Sequence, residues 1–225
     1  MSTPPSFLAR QLRLELLDAG ETALVRLYKQ TRAGQAGGEW EPPPPAFRDL
    51  RVDPPAGHKD AFAVLYTSDT IACVAAECRV LQYNAAHDVF LVDRTLMGQY
   101  LVARYAFAAP ALFVRIDADD AAALGLQPRT YVGGMNLANS YDRYQAASLA
   151  LWERFGELAH GLSWQSMHRG QLGRVYAIWH HRKPHLKLVY DAARSGALLA
   201  DDGEWKIFEA ENGKFGDVLK AGIDP

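Results

Sequence analysis

The sequence predicts an α+β protein with mixed, mainly antiparallel sheets and flanking helices. Three observations carry that expectation. Short runs rich in β-branched and aromatic residues recur at 23–28, 61–66, 89–92, 100–107, 111–116, 161–165, 174–179 and 186–190, and such runs read as strands. Several follow one another without an intervening helix, which favours antiparallel pairing because short links suffice. Helical periodicity is confined to a few segments, chiefly 7–19, 71–78 and 140–158.

Composition excludes more than it assigns. Apolar residues at 49% and charged residues at 22% are ordinary globular usage, so disorder is not indicated, and 225 residues suffice for a substantial core. One domain over 1–225 is expected, with 1–20 an N-terminal helix and 200–225 a C-terminal appendage. A formal net charge of −2 gives no basic field for gripping nucleic acid. Cys73 and Cys78 fall on different faces of a helix, without C-x-x-C spacing, and both read as small core residues. The first residues hold no apolar stretch of signal-peptide kind, and no run approaches about 18 apolar residues. A soluble cytoplasmic protein is expected, one that binds no membrane.

The chain is organised around residues 62–80. An apolar run over 61–66 reads as a buried strand, Ser68 or Asp69 as a helix N-cap, and Ile71, Val74, Ala75 and Cys78 as a helical stripe. Glu77 lies beside that stripe, where an unpaired carboxylate is expensive to bury, so it either reaches water or serves a purpose. Upstream, Leu8, Leu12, Leu16 and Ala19 predict a leading amphipathic helix over 7–19, and Arg26 and Tyr28 share one face of a strand. Glycines and the prolines 42–45 make 31–45 a loop.

Downstream, Asp117, Asp119 and Asp120 lack the glycine and distal glutamate of a calcium loop, and read as capping for a short helix over 121–124. Tyr144, Ala147, Leu151, Phe155 and Leu158 form the core side of the longest helix. Ser166 follows at a strand end, and Trp205, Ile207 and Phe208 anchor the polar tail.

Two familiar chemistries fit poorly. A nucleophile elbow at Ser163 needs glycine two residues on, where Gln165 stands. His180, His181 and His185 have no nearby carboxylate and read as a solvated turn, so no metal is expected.

What remains is a scattered set: Arg26, Tyr28, Arg51, Tyr66, Glu77 and Ser166. Singly, the arginines suit surface ion pairs, Tyr66 the core, and Ser166 a strand-end hydroxyl. In order, Arg26-Leu-Tyr28, Arg51-Val-Asp-Pro-Pro before a Leu-Tyr66 strand, Ala-Ala-Glu77, and Trp-Gln-Ser166 after a helix with Ser140-Tyr-Asp-Arg-Tyr-Gln resemble the RES domain family. The resemblance spans about residues 22–192. Val52 departs from the large aromatic usual after the family's second arginine, and Arg48 is the alternative to Arg51 in that role.

The resemblance implies a compact relative of the ADP-ribosyltransferase fold that takes NAD as substrate. It implies cleavage of the nicotinamide–ribose bond, as a toxin paired with an Xre-type antitoxin. The ADP-ribose passes to water, phosphate or a protein; the alternative from another class is a non-catalytic binding module. A homodimer is a further possibility.

The residue types suit that chemistry. Guanidinium groups of Arg26 and Arg51 match the oxygens of a pyrophosphate. The Glu77 carboxylate would stabilise positive charge developing on the ribose carbon. Tyr66 or Tyr28 would stack on nicotinamide. Ser166 would hold a ribose hydroxyl or the carboxamide, with a catalytic Ser166–His168 pair as the lesser option.

Overall fold

The structure, a computed structural model, describes residues 12–20, 23–29, 40–84, 87–117, 141–166, 172–212 and 215–217. Among the described residues the strands are β1 (Leu14–Leu17), β2 (Leu24–Lys29), β3 (Val64–Ser68), β4 (Leu81–Asn84), β5 (Val89–Val92), β6 (Tyr100–Phe107), β7 (Ala111–Arg115), β8 (Gly161–Gln165), β9 (Arg174–Trp179), β10 (Leu188–Tyr190) and β11 (Phe215–Asp217). The helices are α1 (Ile71–Glu77), α2 (Arg94–Met97), α3 (Tyr141–Phe155), α4 (Lys183–Leu186) and α5 (Gly203–Asn212).

Eight strands form one sheet in the order β1-β7-β8-β9-β3-β2-β6-β10, and β11-β5-β4 form a second. Among the described strands, β7 with β8 and β11 with β5 pair parallel and the other pairs are antiparallel. The fold is therefore α+β with mainly antiparallel sheets. No described helix is long and apolar enough to cross a membrane.

The large sheet is buried on both faces, and strand alternation sorts its side chains. On β9, Val175, Ala177 and Trp179 join Tyr144, Ala147 and Leu151 of α3, whereas Tyr176 and Ile178 join Tyr105, Phe107 and Phe113. A third cluster seats α1 between Val25 and Leu27 of β2, the small sheet, and Trp205 of α5. The tail thus contributes a fully buried tryptophan, while Ile207 stays 58% exposed.

Several expectations are corrected. Residues 14–17 of the expected leading helix are a strand, because the edge of β7 offers backbone partners. Alternation also turns Glu15 inward, where its carboxylate accepts from Ser163 Oγ, Arg174 Nε and Tyr176 Oη. That gain outweighs the helical spacing of the leucines. The cap of α1 is Thr70, whose Oγ1 accepts from Cys73 N at 3.1 Å; Ser68 ends β3, and Asp69 accepts from Arg174 N.

Asp117 accepts from Arg115 and Arg174, and the expected helix over 121–124 lies outside the described residues. Leu158 lies beyond the end of α3 and is exposed. Cys78 is only half-buried. The strand expected from 186 starts at Leu188, since Pro184 opens α4 and Lys187 closes it at φ 48°. His181 and His185 are exposed, but His180 is half-buried, and burial with the charges of Lys183, Arg26 and Arg48 pushes its imidazole down to about 3. Strand β4 escaped notice because only Leu81 of its four residues is buried.

Candidate functional site

The site is built on the end of α1. Its first six residues are buried, and Arg79, at φ 62°, stops the helix so that Glu77 closes the last turn half-buried. A carboxylate there opposes the helix dipole.

Ser166 is brought to it by the β8–β9 pair. Ser166 N donates to Gly173 O at 3.0 Å, and Arg174 N donates to Asp69 Oδ1 at 2.8 Å. Thr70 Oγ1 donates to Leu172 O, which ties the start of β9 to the start of α1. Gly173 is required by this approach: at φ 137°, a Cβ would lie 2.3 Å from Asp69 Oδ1 and 2.7 Å from Thr70 Oγ1. The outcome is a hydrogen bond from Ser166 Oγ to Glu77 Oε1 at 3.0 Å.

The two cysteines flank this pair as uncharged thiols. Burial pushes Cys73 up to about 12; the Ser68 and Ser166 hydroxyls oppose this, and the Glu77 and Asp69 charges add to it. Burial pushes Cys78 up to about 11, with Arg26 lowering it and Glu77 raising it. Arg26 and Glu77 therefore bear on the same thiol.

Arg26 sits where the large sheet opens. Strands β2 and β3 share a single pairing, Val25 with Ser68. Beyond it, Arg26 Nη1 donates to Tyr66 O at 3.2 Å, and Arg26 Nε is buried with no hydrogen-bond partner among the described residues.

Tyr66 carries the arrangement to Arg51. Its hydroxyl accepts from Val52 N at 3.1 Å and donates to Asp53 Oδ1 at 3.3 Å, and Asp53 Oδ2 accepts from Leu50 N at 2.8 Å. Burial raises both the Tyr66 and Asp53 pKa values, so Tyr66 stays protonated. From α3, Gln145 Nε2 donates to Leu50 O at 3.0 Å and Ser148 Oγ to Val52 O at 2.8 Å. The turn holding Arg51 is thus clamped, and the guanidinium lies 5.7 Å from the Tyr144 ring centroid. Arg48 is committed to the carbonyls of Pro43, Lys59 and Phe62.

Of the residues named from sequence, Glu77 and Ser166 touch, Arg26 bonds to the Tyr66 backbone, and Arg51 neighbours Tyr66 through the 50–53 turn. Tyr28 packs half-buried against the Leu24–Tyr105 cluster. His168 lies outside the described residues. Sequence reasoning missed Asp53, Gln145 and Ser148. The two polar residues of α3 fall beside its apolar stripe, at positions adjoining Tyr144 and Ala147, and that placement was the available signal.

A groove of about 900 Å³ lies at the opposite end of α1; Asp69, Thr70 and Leu172, which tie β9 to α1, line it, but Arg26, Tyr28, Arg51, Tyr66, Glu77 and Ser166 do not. We place the candidate site at the Glu77 end of α1, where a half-buried acid accepts from the Ser166 hydroxyl; Glu15 also accepts from hydroxyls, but its carboxylate is already paired with Arg174 at 3.1 Å. Comparison with protein-family models, with curated proteins and with solved structures finds no match for this chain.

Proposed function

We propose that this chain breaks the nicotinamide–ribose bond of NAD, with Glu77 facing the ribose and Arg26 and Arg51 binding the pyrophosphate. The observation that carries the reading is the Ser166–Glu77 hydrogen bond at the end of α1. As the C–N bond lengthens, its electron pair leaves with nicotinamide and positive charge grows on the ribose carbon. The Glu77 carboxylate stabilises that charge more in the transition state than in the bound substrate. Water then adds to the carbon and releases a proton, yielding ADP-ribose; phosphate in its place would yield the phosphorylated sugar. Ser166 holds Glu77 in position at rest and offers its hydroxyl to the ribose or carboxamide. The Tyr66 ring, with its hydroxyl already tied to Asp53 and Val52, supplies a fixed face for nicotinamide, as does Tyr28 in the alternative.

This reading makes the chain the cytoplasmic toxin of a pair controlled by an Xre-type antitoxin, with a fold akin to that of ADP-ribosyltransferases. Incubating the purified chain with NAD and following nicotinamide by chromatography tests it. Free nicotinamide with ADP-ribose supports hydrolysis, and its 1-phosphate supports phosphorolysis. Label transferred from NAD to a protein band assigns a protein ADP-ribosyltransferase instead. No nicotinamide release leaves a binding module and overturns the proposal.

A further inference from the structure

We propose that the groove at the start of α1 receives a cationic amphipathic helix from a partner protein. The groove has an apolar floor and an acidic rim, and no Lys, Arg or His lines it among the described residues. One wall is α5, where Glu204, Ile207, Phe208 and Glu211 recur at three- and four-residue spacing and so present acid, apolar, apolar, acid along one face. The floor continues through Ile71 and Phe90, and the rings of Phe90 and Phe208 meet edge to face at 5.6 Å.

The rim charges are not equal. Asp69 is engaged by Arg174 N, and Glu204 is shared between Arg104 and Arg194. Asp88 accepts from the Tyr83 hydroxyl, which leaves its charge in place, and Asp88 and Glu211 are both exposed. The field at the mouth therefore comes mainly from these two carboxylates, one on the turn before β5 and one on α5, at the rim of an apolar trough. A helix with leucine-like residues on one face and Lys or Arg one turn away on either side satisfies both features. A second copy of the chain would set acidic rim against acidic rim, and an anionic lipid surface would be repelled.

The probe is a synthetic peptide of about 14 residues, four helical turns, with Leu and Lys at amphipathic spacing. Its binding to the full chain is followed by fluorescence anisotropy. The peptide is expected to bind with micromolar affinity that weakens as salt rises. Affinity is expected to fall at least about tenfold in a variant carrying Asp88→Asn and Glu211→Lys, and similarly in Ile207→Asp. All three positions are exposed, and Asn suits the left-handed backbone of Asp88 at φ 50°, so thermal melts should match the native chain. A peptide with Glu in place of Lys should fail to bind. Undiminished binding to the charge-reversed variant, equal binding of the Glu peptide, no binding of the Lys peptide, or a native dimer abolished by Ile207→Asp would each overturn the proposal.

Discussion

Ser166 Oγ donates to Glu77 Oε1 at 3.0 Å across 89 residues of sequence. Two elements cooperate to make this contact: a helix stopped one residue beyond Cys78 and a strand pair stapled to that helix's beginning. Ser166→Ala removes the donor and leaves the carboxylate charged. Nicotinamide release is expected to fall about tenfold, and the Ser166→Ala, Glu77→Gln double variant to be no slower than Glu77→Gln alone, because groups acting as a unit are not additive. Additive losses in kcat/KM would separate the two roles.

Gln145 and Ser148 are expected to act on substrate binding through Arg51. Replacing both by Ala leaves the Leu50 and Val52 carbonyls without these donors, at about 1–2 kcal/mol per lost bond. If Arg51 grips the pyrophosphate equally in ground and transition states, steady-state kinetics should give a raised KM with kcat little changed.

Gly173 sets how closely β9 approaches α1. Gly173→Ala adds a methyl group 2.3 Å from Asp69 Oδ1 on backbone at φ 137°, and about 1–3 kcal/mol of stability should be lost as a lower melting temperature. NAD turnover should fall with it, since Ser166 N bonds to Gly173 O.

Acid stability should report on the buried pair between β6 and α5. Arg104 and Asp202 are both nearly buried and bonded twice, at 2.7 and 3.0 Å. Burial pushes the Asp202 carboxyl up, but the hydrogen bonds and charge of Arg104 outweigh this and hold it below its ordinary 3.8. The folded chain therefore binds fewer protons than the unfolded chain. The stability gained is complete above pH 3.8 and is lost as pH falls through the depressed value. Asp202→Asn should cost about 1.5–3 kcal/mol near neutrality, since it removes the charged partner that Arg104 bonds twice and leaves the guanidinium with Glu204 alone as its carboxylate among the described residues. The gap from the native melting temperature should narrow as pH drops below 3.8.

The strands of the large sheet were legible because their apolar runs are dense, and α3 because its stripe runs over four turns. The segment containing Leu14 was misread: its leucines satisfy helical spacing, while the decisive partners of Glu15 lie at Ser163 and Arg174, far along the chain. The cap of α1 was misplaced by one or two residues, since Ser68, Asp69 and Thr70 are all capable caps and only their distant partners distinguish them. Glu77 stood out by its own incongruity in an apolar segment. Asp53 did not, because nothing local distinguishes a buried carboxylate beside two prolines from a turn residue until Tyr66 is folded against it.

The most direct measurement is nicotinamide release from NAD by the purified chain and by Glu77→Gln. The substitution keeps the side chain's shape and removes a charge that opposes the α1 dipole, so the melting temperature should not fall. Release is expected from the native chain and to drop at least about a hundredfold in the variant. Equal rates in the two proteins, or no release from the native chain, would contradict the assignment of Glu77 to this chemistry.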